Sequence, residues 1–289
     1  MTPAVLRYEH RYGRVSAMPF LRHVPAPPLS AHIDCLWFHE GPGAAHAKER
    51  LLPTGELELI INLAEDQVRF YDSAVTDRAF YRRGAVICGV HSGFFVIDTA
   101  EQTSVMGVHF RPGGAAAFFR PPTSEFSNTH VDLDRLWGEF ANELRGELAA
   151  LITPAARFAR LEAALLGQLQ RDVGTRHPVV WFALQAFSDG PRSVAEVSAQ
   201  TGFSSRRFSQ VFAENVGLTP KLYWRVRRFQ EVIGRLRADT EPDWVALALD
   251  CGYYDQAHFI HDFREFSGLT PGEYLALCTP HQNHVPLKD

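Results

Sequence analysis

Gly217-Leu218-Thr219-Pro220 recurs as Gly268-Leu269-Thr270-Pro271, an offset of 51, and Phe208 and Phe212 recur as Phe259 and Phe263 at that same offset. Gly202-Phe203 returns as Gly252-Tyr253 at an offset of 50, so the second copy holds one extra residue between its glycine and its phenylalanine pair. A stretch repeated in register is one supersecondary unit used twice. It restricts the C-terminal third of the chain to a helical architecture with two equivalent halves.

In the first copy, Ser193-Val194-Ala195-Glu196 has the form of a capping box, in which the serine hydroxyl accepts from the Glu196 amide and the carboxylate reaches back. The short helix it opens is expected to stop at Gly202. Ser204 then caps a second helix whose Phe208, Val211 and Phe212 share an inward face at i, i+3 and i+4. Helix, glycine turn, helix is the helix-turn-helix pattern. The outward face of the second helix carries Ser205, Arg206, Arg207, Ser209 and Gln210. Arginine pairs in bidentate fashion with guanine and glutamine with adenine, so these five are candidate base readers in a major groove. A plain helical hairpin is the bland alternative, and the second copy in fixed register argues against it.

Thr219-Pro220 predicts the start of a longer helix, with proline in the first turn where a missing N–H costs nothing. Its apolar stripe is Leu222, Val226, Phe229, Ile233 and Leu236, while Arg225, Arg227, Arg228, Arg235 and Arg237 occupy its other faces. Beside a reading helix such cations suit phosphates, which position a protein on DNA; Arg225, Arg227, Arg228 and the cap Ser204 are the phosphate candidates. The second copy opens at Asp243, runs through Val245, Leu247 and Leu249, turns at Gly252 and restarts after Asp255 with Phe259, Phe263 and Phe266 inward. Its outward residues are Gln256, His258, Ile260, His261 and Arg264, of which Gln256, His258 and His261 are base-reading candidates. At offset 51 Arg206 becomes Ala257 and Gln210 becomes His261, so this face is poorer in cations. Thr270-Pro271-Gly272-Glu273 is a further capping box, opening a last short helix through Leu277.

A formal net charge of −4 argues at first against a polyanion partner, but it is an average. Residues 1–174 hold 17 basic and 20 acidic side chains, 204–237 hold eight basic against two acidic, and 239–273 hold Arg264 alone against eight acids. The first unit and the central helix are the part suited to phosphates, and the acidic second unit is expected to contribute less.

The run Gly202-Phe203-Ser204-Ser205-Arg206-Arg207-Phe208-Ser209-Gln210-Val211-Phe212, followed by Gly217-Leu218-Thr219-Pro220, resembles the first helix-turn-helix of the AraC/XylS transcriptional regulators. Gly252-Tyr253-Tyr254-Asp255-Gln256-Ala257-His258-Phe259 through Gly268-Leu269-Thr270-Pro271 resembles the second, and the resemblance spans 176–278. It implies an all-α domain at 179–278, two helix-turn-helix units joined by a central helix, with reading helices in successive major grooves on one DNA face. It places Arg206, Ser209, Gln210, Gln256 and His261 at base-contacting positions; members often carry Arg where His261 stands. It further implies a cytoplasmic, sequence-specific transcriptional regulator rather than an enzyme. The partners it implies are double-stranded DNA, a small-molecule effector, RNA polymerase and a second copy of the chain.

Residues 1–172 read as a mainly antiparallel β sheet or small barrel with added helices, followed by a linker at 173–178; 279–289 read as a tail, and the whole as α+β. Strands are expected in the apolar stretches 33–38, 57–63, 86–97 and 104–110, separated by clusters such as Pro53-Thr54-Gly55. Helices are expected from Ala115 to Phe119, over 133–151 and over 154–170, where Phe158, Leu161, Leu165 and Leu169 recur at helical spacing. Trp37, the run from Leu51 to Leu59 and the run from Gly107 to Gly114 resemble an uncharacterised N-terminal domain found in a subset of these regulators. Arg111 with the Gly113 and Gly114 amides, beside His109 and Glu56, is a candidate effector or anion site, because helix N-termini present unpaired N–H groups. A strand-to-helix turn is its plain alternative. His91, His109, Cys88 and Glu56 lack metal-ligand spacing, so neither metal nor cofactor is expected.

The cysteines Cys35, Cys88, Cys251 and Cys278 form no C-x-x-C pair, which fits reduced thiols in the cytoplasm. Neither a secretory signal nor a run of membrane-spanning length is present, so no membrane partner is expected. There is no G-x-S-x-G elbow and no Walker or dinucleotide glycine loop. Two other classes remain open: an interaction adaptor with a degenerate DNA-binding domain, and a small-molecule enzyme of barrel fold.

Overall fold

Strands form where β-branched and aromatic residues alternate between turn residues. A computed structural model describes residues 6–7, 20–41, 47–73, 78–100, 102–170, 177–190, 193–236, 242–279 and 281–287. Among them the strands are β1 (Leu6–Arg7), β2 (Phe20–His23), β3 (Ile33–Glu40), β4 (Lys48–Leu51), β5 (Glu58–Asn62), β6 (Gln67–Tyr71), β7 (Ala79–Arg83), β8 (Ala85–Cys88), β9 (Phe95–Asp98), β10 (Ser104–Phe110), β11 (His130–Asp132) and β12 (His284–Pro286). One sheet has the order β1-β2-β3-β10-β5-β8-β11 and the other β12-β4-β9-β6-β7. The pairings are antiparallel in both.

Two-residue periodicity decides what each strand buries. Along β8, Ala85 and Ile87 join the main core, while Val86 and Cys88 turn the other way into a smaller core with Val68, Phe70 and Ile97. The apolar stretch 86–97, expected as one strand, is therefore two strands in different sheets, β8 and β9, joined by the loop 89–94. The helix expected from Ala115 to Phe119 is a single 3-10 turn, Ala115–Ala117. Pro121 and Pro122 follow it, and a residue preceding proline is driven out of the helical region.

The helices are α1 (Asp134–Trp137), α2 (Glu139–Ala150), α3 (Pro154–Gln168), α4 (Pro178–Ser188), α5 (Val194–Gln200), α6 (Ser205–Val216), α7 (Pro220–Arg235), α8 (Trp244–Asp250), α9 (Gln256–Ser267) and α10 (Pro271–Leu277). The helix expected over 133–151 is divided at Gly138, whose φ of +65° no right-handed helix can contain. The expected linker 173–178 lies outside the described residues up to 176, and α4 begins at Pro178. From the segment read as a tail, β12 pairs with β4, and Gln282 donates to the Leu236 carbonyl.

One hydrophobic cluster runs from the face of the larger sheet, through α2 and α3, into α4 to α10. The N-terminal half grips the helical module at three places. The loop around Gly55 lies against Tyr223 and Val226 of α7, and Gln230 donates to the Pro53 carbonyl at 2.8 Å. The hydroxyls of Thr123 and Ser127 donate to the carbonyls of Glu214 and Gly217 at the end of α6. The Phe94 amide donates to the Phe266 carbonyl at 2.9 Å, at the end of α9.

Candidate nucleic-acid interface

Local chemistry sets both units. Ser193 and Glu196 form the reciprocal capping box of α5, and Ser204 accepts from the Arg207 amide at 3.3 Å to start α6. In the second unit Asp243 caps α8, and Asp255 accepts from the His258 amide at 2.7 Å to start α9. Phe208, Val211 and Phe212 of α6, and Phe259, Phe263 and Phe266 of α9, are buried. Burying an amphipathic face fixes which side of each helix meets solvent.

On α6 the outer side presents Ser205, Arg206, Arg207 and Gln210, all exposed, with Ser209 half-buried at the edge. Arg206 and Arg207 make no ion pair among the described residues, so both guanidiniums are available. The Gln210 amide donates to Glu214 Oε1 at 2.8 Å, one turn along the same helix. Ser204 uses its oxygen as the cap.

On α9 the arrangement differs. The Tyr254 amide donates to His258 Nδ1 at 3.4 Å, and the ring stands edge-on to Tyr253, so His258 closes the turn rather than projecting from it. Gln256 is half-buried at the first helical position, and His261 is exposed. Ala257, Ile260, His261, Arg264 and Glu265 line an open groove along this outer side. Three of them, Ala257, Ile260 and Arg264, were not among the base-reading candidates. The offset of 51 applied to Arg206, Ser209 and Ala213 leads to them.

Two of the three arginines expected at phosphates are bound within the protein. Arg225 Nη2 meets Asp262 Oδ1 at 2.8 Å and Nη1 meets Glu265 Oε1 at 3.1 Å. Arg228 Nη2 lies 3.3 Å from Asp262 Oδ2, and its Nη1 donates to the Gly252 carbonyl at 2.9 Å. The Asp262 side chain is 3% exposed, and its hydrogen bond, with that of Glu265, drives the Arg225 pKa further up. These arginines fasten α7 to α9 and to the turn of the second unit. Arg227 is half-buried and makes no ion pair among the described residues; its charge faces Glu56 and Tyr223.

The residues expected at an effector or anion site separate into two places. Arg111 donates from Nε to the Ser30 carbonyl at 3.0 Å and lies 3.6 Å from Asp34. Gly113 packs against Val180, Leu184 and Val216, and a Cβ on Gly114 would stand 2.0 Å from the His32 carbonyl oxygen. That turn is therefore spent on joining the two halves of the fold. His109 sits instead beside Glu58, with Nδ1 3.3 Å from Oε1, which also accepts from Trp37 Nε1 at 2.7 Å. Burial pushes the nearby Glu56 carboxyl up, opposed by the charges of His109 and Arg227.

Two short helices meeting at a turn, repeated about a central helix, define the double helix-turn-helix class. Residues 183–276 match the family model described as a helix-turn-helix domain, and residues 21–132 match a domain of unknown function, DUF6597. The chain thus carries a helix-turn-helix domain behind a DUF6597 domain. It is similar to the HTH-type transcriptional regulator ArgR of Pseudomonas aeruginosa, 23% identical over 150 residues, covering 49% of this chain and 44% of that one. It thus spans less than half of that relative's length. Among solved structures it is similar to ToxT from Vibrio cholerae, at 10% identity and a TM-score of 0.44, covering 83% of this chain and 96% of that one. A structure of ToxT from Vibrio cholerae strain SCE256 with an unsaturated fatty acid bound compares at 9% identity and a TM-score of 0.43, covering 83% of this chain and 93% of that one. Among the described residues no helix is long and apolar enough to cross a membrane.

Proposed function

We propose that the chain is a sequence-specific DNA-binding transcriptional regulator of the AraC type that acts in the cytoplasm and is not an enzyme. The observation that carries this reading is the outer face of α6, capped by Ser204, where Arg206 and Arg207 stand exposed with no ion pair among the described residues, beside Ser209 and Gln210. An exposed guanidinium fork on a helix that a turn holds clear of its neighbour matches a guanine edge in the major groove. Gln256 and His261 are the base-reading positions of the second unit, and Arg227 is the phosphate contact of the central helix.

An effector bound by the N-terminal half would act through the loop at Gly55, which touches α7. Trp37, Glu58 and His109, with Glu56 near them, form the cluster we assign to it; native mass spectrometry of the purified chain tests for a carried ligand. RNA polymerase and a second copy of the chain are the further partners of this reading. Arg206→Ala with Gln210→Ala is expected to weaken binding to a selected duplex, each lost bidentate pair costing about 1–3 kcal/mol, with sequence preference relaxed at the same positions. Gel-shift titration reads both, and unchanged affinity and preference would remove α6 from the reading surface.

A further inference from the structure

We propose that the second unit reads DNA through apolar contact, Ala257 and Ile260 of α9 receiving the C5 methyl groups of thymines. This inference rests on base reading by the module and specifies what its second half recognises. At the offset that relates the two units, Arg206, Ser209, Gln210 and Ala213 correspond to Ala257, Ile260, His261 and Arg264. The second set of four, with Glu265, lines one groove of about 580 Å³ on the outer side of α9. Where α6 presents a guanidinium and a hydroxyl, α9 presents a methyl and a sec-butyl group.

Apart from Gln256 and His261, the polar groups of α9 near its start are engaged within the protein. Asp255 caps the helix, His258 closes the turn, and Asp262 is held by Arg225 and Arg228. Ile260 is half-buried and packs against the core, so its position is fixed before any ligand arrives. The stretch 239–273 holds eight acids against Arg264, and so offers little general attraction to phosphates. A contact made by this unit therefore draws on apolar burial beside the hydrogen bonds open to Gln256 and His261, with Arg264 and His261 flanking the aliphatic pair. In the major groove thymine presents a methyl group, and apolar side chains are what recognise it.

Duplexes enriched by the purified full chain from a random-sequence pool provide the probe. Each thymine is replaced in turn by deoxyuridine, which removes the methyl and nothing else. We expect binding to weaken about four-fold for each methyl contacted, the worth of burying one methylene-sized group, and these positions to cluster in one half of the site. In Ile260→Ala the uracil penalty at its thymine disappears, whereas in Arg206→Ala it persists. Uracil that is tolerated at every thymine overturns the proposal, and the wild-type protein alone gives that result. A penalty that survives intact in both Ile260→Ala and Ala257→Ser also overturns it, and assigns the methyl contacts to other residues. A pool in which no sequence is enriched removes DNA reading itself, and this proposal with it.

Discussion

At the scale of single residues, what a charged side chain does depends on what faces it. Arg225 and Arg228 look in sequence like phosphate contacts, yet both spend their donors on Asp262, whose side chain is almost wholly buried. Removing one partner of a buried ion pair strands the other charge. Asp262→Ala is accordingly expected to destabilise the protein by about 3 kcal/mol, read as a lower urea midpoint. Arg225→Ala should lower stability and leave the salt dependence of DNA binding nearly unchanged, whereas Arg227→Ala should reduce the slope of log affinity against log salt by about one. Equal slopes for these two variants would show that the pairing with Asp262 does not decide the role. His258 makes the same point, because an outward place in the helix pattern does not prevent its imidazole from closing the turn before α9.

Secondary-structure elements here begin and end where short-range chemistry says they should. The capping boxes at Ser193 and Thr270 form, and Asp243 and Asp255 cap the helices of the second unit. The reading helices end on Gly217 and Gly268, at φ of +94° and +69°, a region that costs other residues about 1–2 kcal/mol. Each glycine also receives a side chain from the loop 89–94: a Cβ on Gly217 would stand 2.9 Å from Val90 Cγ2, and one on Gly268 2.6 Å from the Phe94 ring. Gly268→Ala is therefore expected to cost more than the backbone alone would, by displacing Phe94 as well as straining the helix end. Denaturation with urea measures the cost, and Gly202→Ala, at a φ of +73° with no atom within 4 Å, isolates the backbone share. Equal losses for the two variants would show that the loop contact carries nothing.

Over the whole molecule, the N-terminal half holds both reading helices by their C-terminal ends and the central helix by its side, so a change in its own packing can reach both units. Beside its smaller core lie His91 and His130, their rings tilted by 42° with centroids 4.8 Å apart, among Phe70, Phe80 and Phe95. Neither Nε2 has a hydrogen-bond partner in the described structure. Burial pushes His91 down to about 4 and His130 well below its ordinary value, the latter aided by His91 and Arg82. As pH falls below the ordinary 6.5, the unfolded chain takes up these protons before the folded one. Stability is thus complete above that value and declines toward pH 4, by about 1.4 kcal/mol per pH unit for each group. Denaturation across this range should show the slope, and His91→Phe should flatten it; an unchanged slope would mean that other groups govern acid stability. The sequence by itself determined the two units, their caps, their glycine ends and their buried phenylalanines, because each depends on residues within about one helical turn. It also showed the strand-bearing stretches 33–38, 57–63, 86–97 and 104–110, though neither that 86–97 divides between two sheets nor the strands β1, β2, β4, β6, β7, β11 and β12. Tertiary structure decided which arginines face carboxylates, where the loop 89–94 lands and what becomes of the last residues. Those outcomes join groups 37 residues apart in Arg225 and Asp262, and 235 apart in His284 and Glu49, whose ring and carboxylate meet at 2.8 Å. No local pattern encodes such a meeting, since it exists only once the two sheets and the helical module have packed.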